Sequence, residues 1–396
     1  MRRIILAFSH FDTGGLQTFI IRVCQWCRKH NIDSLVFYET IDQNMKRICK
    51  EENIENFGIY SIKEIGKKLR EKDYLYDDNV IITFELPEFL MFERIRKKYL
   101  KNQEVKHYLY NVSVNGMIFG REFTGKIGKI IYKFYQKISI MYCNNNQLLF
   151  MDKETRMAAY TYYCLQNDIN NVYLLPMFIS KEPEYNIAKT RKKILTVSRA
   201  DFPYKGYLIG LIDDFDKLCE KQDVYLQIVS FGKDVGKLKE KIKNSKYHER
   251  ISFFEGATLE KIRELLLESY VYIGMGTTVL DAADLGVPSI VIFHSTMKNI
   301  ASGFFHENPT VIGRCGDGKP AIDLLNEILD CSIQEYKSVR EKTYIGYKNN
   351  YDIECFMKRI LSIHNNKKVY LKNRDWIFHS LLFKLRSFRR KLLKLK

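Results

Sequence analysis

Residues 274–291 read GMGTTVLDAADLGVPSIV. Two glycines flank Met275, which lets the backbone turn sharply. Thr277, Thr278 and Val279 then open a short helix over an apolar Leu280-Asp281-Ala282-Ala283 run, and Gly286 ends it. Pro288 leads a β-branched finish, the composition of a buried strand. The preceding YVYIG is a strand as well, so the stretch is one β-turn-α-β step. Such steps build parallel sheets covered by helices on both faces.

The same step opens two regions of the chain. RRIILAF is a buried strand followed by the turn SHFDTGG, the helix LQTFIIRVCQWCRKHN and the strand DSLVFY. Near residue 193, KKILTVS is followed by the loop RADFPYKG, the helix YLIGLIDDFDKLCEKQ and the strand VYLQIVSFG. Two such openings predict an α/β protein of two Rossmann-like doubly wound domains. The expected division is a first domain over 1–180 and a polar, Pro183-containing linker over 181–192. A second domain over 193–365 and a basic amphipathic segment over 366–396 follow. Strands are also expected at NVIITFELP, KHYLYNVSV and NNVYLLPM in the first domain, and at ISFFEG in the second.

Composition agrees with two cores. The chain has 396 residues, 46% of them hydrophobic, and a single core stops growing at roughly 250–300 residues. No apolar run reaches the roughly 20 residues of a membrane-spanning helix. The N-terminal MRRIILAF is too short for a secretion signal and reads as the first strand, which predicts a cytoplasmic protein. Nine cysteines lack paired spacings. Cys24-Gln25-Trp26-Cys27 could be redox-active or half a zinc site, but it falls within a helical apolar pattern and a packing role is expected. The net charge of +17 asks for a polyanionic partner: nucleic acid, anionic lipid or phosphorylated ligands. The chain has no zinc-finger, RNA-recognition or helix-turn-helix pattern, so no nucleic-acid partner is expected.

Ligands of doubly wound sheets bind where strand ends pass into helix N-termini, which favour phosphate. Three loops qualify. Gly14-Gly15 follows the first strand, as a tight turn or a close approach to ligand. It lacks the third glycine of a dinucleotide fingerprint, so NAD is not supported. Arg199 and Lys205 lie in one strand-to-helix loop, where an Arg fork and a Lys point charge could converge on a diphosphate or remain two solvated cations. After Gly276, Thr277 and Thr278 present a helix start. Asp281, read as lying in its first turn, either complements the helix dipole or accepts hydrogen bonds from ribose hydroxyls.

Taken together, Arg199 with Lys205, IVSFG, FFEG and GMGTTVLDAADLGVPSIV occur in an order that resembles the family-4 retaining glycosyltransferases. The resemblance is specific over about 193–292. It implies a GT-B fold, two facing Rossmann-like domains, with the donor held by the C-terminal one. It further implies that Arg199 and Lys205 hold the nucleotide diphosphate as the catalytic cations, and that Gly276, Thr277, Thr278, Val279 and Leu280 offer backbone N–H groups to it. Asp281 would bind the ribose, and Gly232 and Gly256 would line the phosphate and base pockets. Gly14 and Gly15, whose turn resembles the family's acceptor-side glycine loop, are grouped with these donor-site residues. Two departures stand out. The first acid of the family's Glu-x7-Glu falls on Ile273, and neither His10 nor His107 is well placed for the histidine the family often carries near the sugar.

Sugar transfer leaves extra negative charge on a departing nucleoside diphosphate, and fixed cations with a helix N-terminus stabilise it. With two cations present, no metal and no cofactor is expected, the UDP- or GDP-linked sugar being substrate. The pairs Asp77-Asp78 and Asp213-Asp214 read as solvated faces.

The charge concentrates in two amphipathic stretches. Lys126, Lys129, Lys133 and Lys137 interleave with Ile127, Ile130, Ile131, Phe134 and Ile138, and the C-terminal WIFHSLLFKLRSFRRKLLKLK repeats the theme. Such helices lie on anionic membranes; alternatively, one face packs on the body, and chains with this fold often send the last helix back to the first domain. The expectation is a peripheral enzyme on the inner membrane face, moving sugar to a lipid-linked or oligosaccharide acceptor in polysaccharide biosynthesis. A nucleotide-sugar epimerase, a nucleic-acid-binding protein and an inactive donor-binding subunit are the alternatives.

Overall fold

The computed structural model describes residues 2–12, 14–58, 61–71, 76–101, 103–119, 121, 123–166, 171–174, 176, 177, 192–314, 316–363 and 371–382. The chain divides into two compact units, residues 1–176 with 353–396, and residues 177–352. Of the expected linker, 181–191 falls outside the described residues, and Lys192 already belongs to a strand.

The first unit runs β1 (Arg2–Ala7), β2 (His10–Phe11), α1 (Gly15–Lys29), β3 (Asp33–Phe37), β4 (Thr40–Ile41), α2 (Gln43–Glu51), β5 (Asn56–Phe57) and α3 (Ile62–Arg70). It continues through β6 (Asp78–Thr83), α4 (Leu86–Tyr99), β7 (Glu104–Asn111), α5 (Gly125–Cys143), β8 (Leu148–Phe150) and α6 (Lys153–Tyr163). Its main sheet has the order β5-β3-β1-β6-β7-β8, all parallel, and β2 pairs separately with β4. Both faces of β1 are buried, which is why its sequence is continuously apolar. Ile4 and Leu6 pack with α1 residues Phe19, Ile20 and Val23, while Ile5 and Ala7 pack with Ile65, Leu69, Phe92 and Ile95 from α3 and α4. Among its described residues the expected strand at NNVYLLPM is reduced to two isolated bridges, Val172 with Phe150 and Met177 with Asp352.

The second unit runs β9 (Lys192–Arg199), α7 (Tyr207–Cys219), β10 (Val224–Phe231), α8 (Val235–Lys243), β11 (Ile251–Glu255), α9 (Leu259–Glu268), β12 (Val271–Gly274) and α10 (Thr277–Asp284). It ends with β13 (Ser289–Ile292), β14 (Ile300–Phe304), β15 (Lys319–Pro320), α11 (Ala321–Asp330) and α12 (Ile333–Tyr351). The sheet order is β11-β10-β9-β12-β13-β14-β15, parallel through β13 and antiparallel at the edge. In both units the strand order reverses once beside the first strand, between β1 and β6 and between β9 and β12. Helices leaving the two strands go opposite ways there, and a crevice opens at the carboxyl ends.

One boundary differs from the sequence reading. Helix α13 (Ile353–Ser362), expected in a second domain reaching residue 365, packs in the first unit. Ile353, Phe356, Met357 and Ile360 have the i, i+3, i+4, i+7 spacing of one apolar face, and they join Ile4, Phe19 and Tyr110. Lys106 Nζ also donates to the Leu361 carbonyl at 2.7 Å.

The C-terminal basic segment is described only to residue 382, over which 373–382 is helical. This stretch packs on α5 through Phe378 against Phe134 (ring centroids 4.8 Å apart), and Tyr135 Oη meets His379 Nδ1 at 2.9 Å. The basic residues from Lys384 onward lie outside the described residues. Of the α5 isoleucines, Ile131 and Ile138 face the core, whereas Ile127 and Ile130 are 64% and 59% exposed beside Lys126, Lys129, Lys133 and Lys137.

Cys24 and Cys27 are buried in the α1 core, and burial pushes the Cys24 thiol up to about 12 and Cys27 higher still. Thiols held protonated in this way are packing residues. Asp214 corrects the reading of a solvated face. It is buried, accepts from Asn299 Nδ2 at 3.0 Å, and burial raises its carboxyl pKa.

Candidate functional site

The loop after β9 and the turn after β12 flank the crevice of the second unit, because β9 and β12 are hydrogen-bonded neighbours (Ile194 beside Val271, Leu195 beside Tyr272). Arg199 is the last residue of β9 and is exposed. Lys205 lies at the end of the following loop, its backbone N–H donating to the Asp201 carbonyl at 2.8 Å. Burial, and next the charge of Arg199, push the Lys205 ammonium down to about 8, while Asp201 opposes them. The two cations are thus close enough to repel each other. A half-buried lysine beside an arginine, with Asp201 itself engaged by Lys233 Nζ at 2.6 Å, has the chemistry to receive an anion.

Gly232, after β10, closes on the same loop. Its φ is +119°, and a β-carbon there would sit 3.0 Å from the Ala200 carbonyl oxygen, which accepts from Asp234 N. The loop also meets the segment after β13. The Tyr204 and His294 rings stack at 5.3 Å, and Ser295 N donates to the Tyr204 carbonyl at 2.8 Å. Gly256 follows β11, and its N–H donates to Ser230 O at 3.0 Å.

On the other side of the crevice, Ile273 is fully buried within β12 and belongs to the core cluster of this unit. An acid at that position could not reach a ligand. The chain passes from β12 into α10 through Met275 and Gly276 alone. Gly276 has φ +76° and ψ −149°, a region essentially reserved to glycine.

The amides of this turn divide in a way the sequence did not reveal. Gly276 N donates to Ile312 O at 2.6 Å and Val279 N to Gly276 O at 3.1 Å, so neither is available to a phosphate, and Leu280 is buried. Thr277 and Thr278 form the first turn of α10, which carries no side-chain cap. The Thr278 hydroxyl is used internally, bonded to Tyr272 Oη at 2.5 Å. Asp281 is the fifth helical residue, beyond the first turn, so the dipole-complementing reading loses its geometry. It shares a face with Thr277, four residues earlier, and is half-buried. Two residues the sequence reading passed over stand nearby in the chain path: His294, and Arg314, whose guanidinium lies 5.1 Å from the Phe293 ring two residues after Ile312. Neither sits in a pattern that a single sequence distinguishes from loop.

Gly276→Ala is expected to destabilise the protein by about 1–3 kcal/mol. A β-carbon there meets nothing within 4 Å, so the cost is backbone strain alone. Denaturant melting of the variant measures it directly.

In the first unit, Gly14 is extended (φ −179°) and caps α1 without a side-chain bond, and Gly15 is the first helical residue. Neither needs glycine's left-handed freedom. His10 is exposed and meets Thr40 Oγ1 at 3.1 Å. His107 is fully buried within β7, with Nδ1 at 2.6 Å from Glu93 Oε1, and Arg96 Nη2 holds the other Glu93 oxygen at 2.8 Å. It is a core residue. Among the described residues no group of three His, Cys, Asp or Glu side chains is arranged to hold a metal ion.

No protein-family model and no curated protein matches the sequence. Solved structures do match in shape. A glycosyltransferase from Rickettsia africae is similar with a TM-score of 0.64 at 14% identity, over 91% of this chain and 96% of that one. HepE of Anabaena, solved with UDP-glucose, is similar with a TM-score of 0.61 at 13% identity, over 91% and 98%. The lipopolysaccharide outer core galactosyltransferase WaaB is similar with a TM-score of 0.59 at 14% identity, over 91% and 99%. The fold expected from the sequence is therefore the fold observed: two Rossmann-like doubly wound units of the GT-B class.

Proposed function

We propose that this chain is a retaining, metal-independent glycosyltransferase that moves a sugar from a UDP- or GDP-linked donor to a surface glycan. One observation carries the reading: Arg199 and the desolvated Lys205 gather at the strand-order reversal of the second unit, across from the uncapped first turn of α10. That is the place and the chemistry for a diphosphate. The role follows from electrostatics. As the anomeric C–O bond breaks, charge grows on the departing diphosphate, and two fixed cations with the Thr277 and Thr278 amides stabilise it without a divalent ion. Asp281 would accept the ribose hydroxyls. The solved relatives in shape, among them HepE with UDP-glucose, support a nucleotide-sugar donor.

Thermal melting of the full chain against UDP, GDP and their common sugars tests this. At saturating ligand, one nucleotide should raise the midpoint by several degrees, and its sugar conjugate should be turned over to the free nucleoside diphosphate once an acceptor is supplied. No shift with any of them refutes a nucleotide-sugar enzyme. Ile273 favours a second reading, a donor-binding subunit without activity, which predicts the shift without turnover.

The acceptor side is proposed to be lipid-linked, at an anionic membrane surface. Exposed Ile127 and Ile130 among four lysines of α5 support it, since a packed helix face would hide them. The chain should sediment with phosphatidylglycerol vesicles and not with phosphatidylcholine ones, and Ile130→Asp should release it.

A further inference from the structure

The strand order of the first unit also reverses, between β1 and β6, and the carboxyl ends there hold polar groups with unmet hydrogen-bonding capacity. Ser9, two residues past β1, donates its hydroxyl hydrogen to Glu88 Oε1. Glu88 lies in the first turn of α4, where an acid ordinarily complements the helix dipole from the surface. Here it is turned inward and 4% exposed, and its Oε2 has no hydrogen-bond partner. Asn111, the last residue of β7 next along the sheet, is fully buried, and both its Oδ1 and its Nδ2 lack partners. Its carboxamide lies beside Gly116, whose carbonyl accepts from Leu86 N at 3.2 Å, so the start of α4 is flanked by Ser9 on one side and the Asn111 loop on the other.

Buried polar atoms without partners cost about 1–3 kcal/mol each, more for a charged group, and a fold retains them where something else completes them. A carboxylate oxygen asks for a hydrogen-bond donor, and a carboxamide offers one donor and one acceptor group. Together these suit neighbouring hydroxyls of a sugar or other polyol. A carboxylate repels phosphate, so a neutral hydroxylated group suits these atoms better than a nucleotide does.

We infer that Glu88 and Asn111, with Ser9 holding the carboxylate, form a hydroxyl-binding site for the acceptor sugar at the carboxyl edge of the first unit's sheet. The assignment of the ligand as acceptor rests on the glycosyltransferase reading; the affinity for hydroxyls does not. Saturation-transfer NMR on the full chain with methyl α-glucoside, methyl α-galactoside and methyl N-acetyl-β-glucosaminide tests it, alongside UDP-induced melting shifts. At least one glycoside should show transfer in the wild type. Glu88→Gln, which is nearly isosteric and keeps the Ser9 contact, should weaken its binding about tenfold by removing the charge. Asn111→Ala should weaken it similarly, and both should leave the UDP shift unchanged. Should Asn111→Ala melt early, Glu88→Gln alone decides. Equal binding by Glu88→Gln and wild type, or no transfer from any of the three probes, overturns the inference. Glycoside binding that is lost in the variants, in a protein whose melting UDP never shifts, would instead sink the donor reading and leave this site standing.

Discussion

Arg199→Ala is expected to lower sugar transfer, followed as nucleoside diphosphate release, by about 10²–10³-fold. The melting temperature should not fall, because the side chain is exposed and ends a strand rather than packing in a core. Arg199→Lys should recover only part of the loss, since an ammonium cannot grip two phosphate oxygens as the planar guanidinium does. Lys205→Met should cost a similar factor in transfer but behave differently in stability. Its ammonium is desolvated and repelled by Arg199, and folding holds its pKa below the ordinary lysine range. The folded state therefore disfavours the charged form, a penalty fully present below about pH 8 and relieved as the pH rises towards the unfolded lysine value. At pH 7 the Lys205→Met protein should accordingly melt no lower than wild type. Transfer within about threefold of wild type in both variants would remove the diphosphate from this crevice.

Donor affinity is expected to fall as pH rises through about 8, by up to tenfold per unit. Only the protonated lysine attracts the diphosphate. Bound phosphate raises the Lys205 pKa again, so binding takes up a proton in the window between the free and bound values. Calorimetry with UDP or GDP at pH 7, 8 and 9, in buffers of differing ionisation enthalpy, measures both the affinity and the proton. Lys205→Met should flatten the curve, and the difference between the two proteins isolates the lysine from any titration of the nucleotide itself. A wild-type affinity constant across that range would mean that Lys205 does not touch the phosphates.

The sheets were legible because parallel strands covered on both faces must be apolar throughout, as RRIILA and KKILTV are. The placing of Arg199 and Lys205 was legible too, since a loop between such a strand and a helix can only lie at the carboxyl edge. Other features depend on contacts distant in sequence. Gly276 reads as a phosphate-binding glycine until Ile312, thirty-odd residues on, takes its amide. Helix α13 has an apolar face that would suit either core, and only packing assigns it to the first. The helix begins at Thr277 as its sequence indicates, and Asp281, fifth from that start, lies one position past the first turn. Ser9 follows β1, Glu88 opens α4 and Asn111 ends β7, and no spacing joins them.

The assignment of α13 to the first unit bears on how the chain is made. Synthesis proceeds from the N-terminus, and residues 177–352 form a contiguous body that is complete when Asp352 emerges. The first unit, begun earlier, still lacks Ile353, Phe356, Met357 and Ile360 at that moment and leaves a greasy seam over Phe19 and Tyr110 uncovered. The portion translated first is thus the later to mature, and a nascent chain stalled near residue 352 would be the species that chaperones must shield.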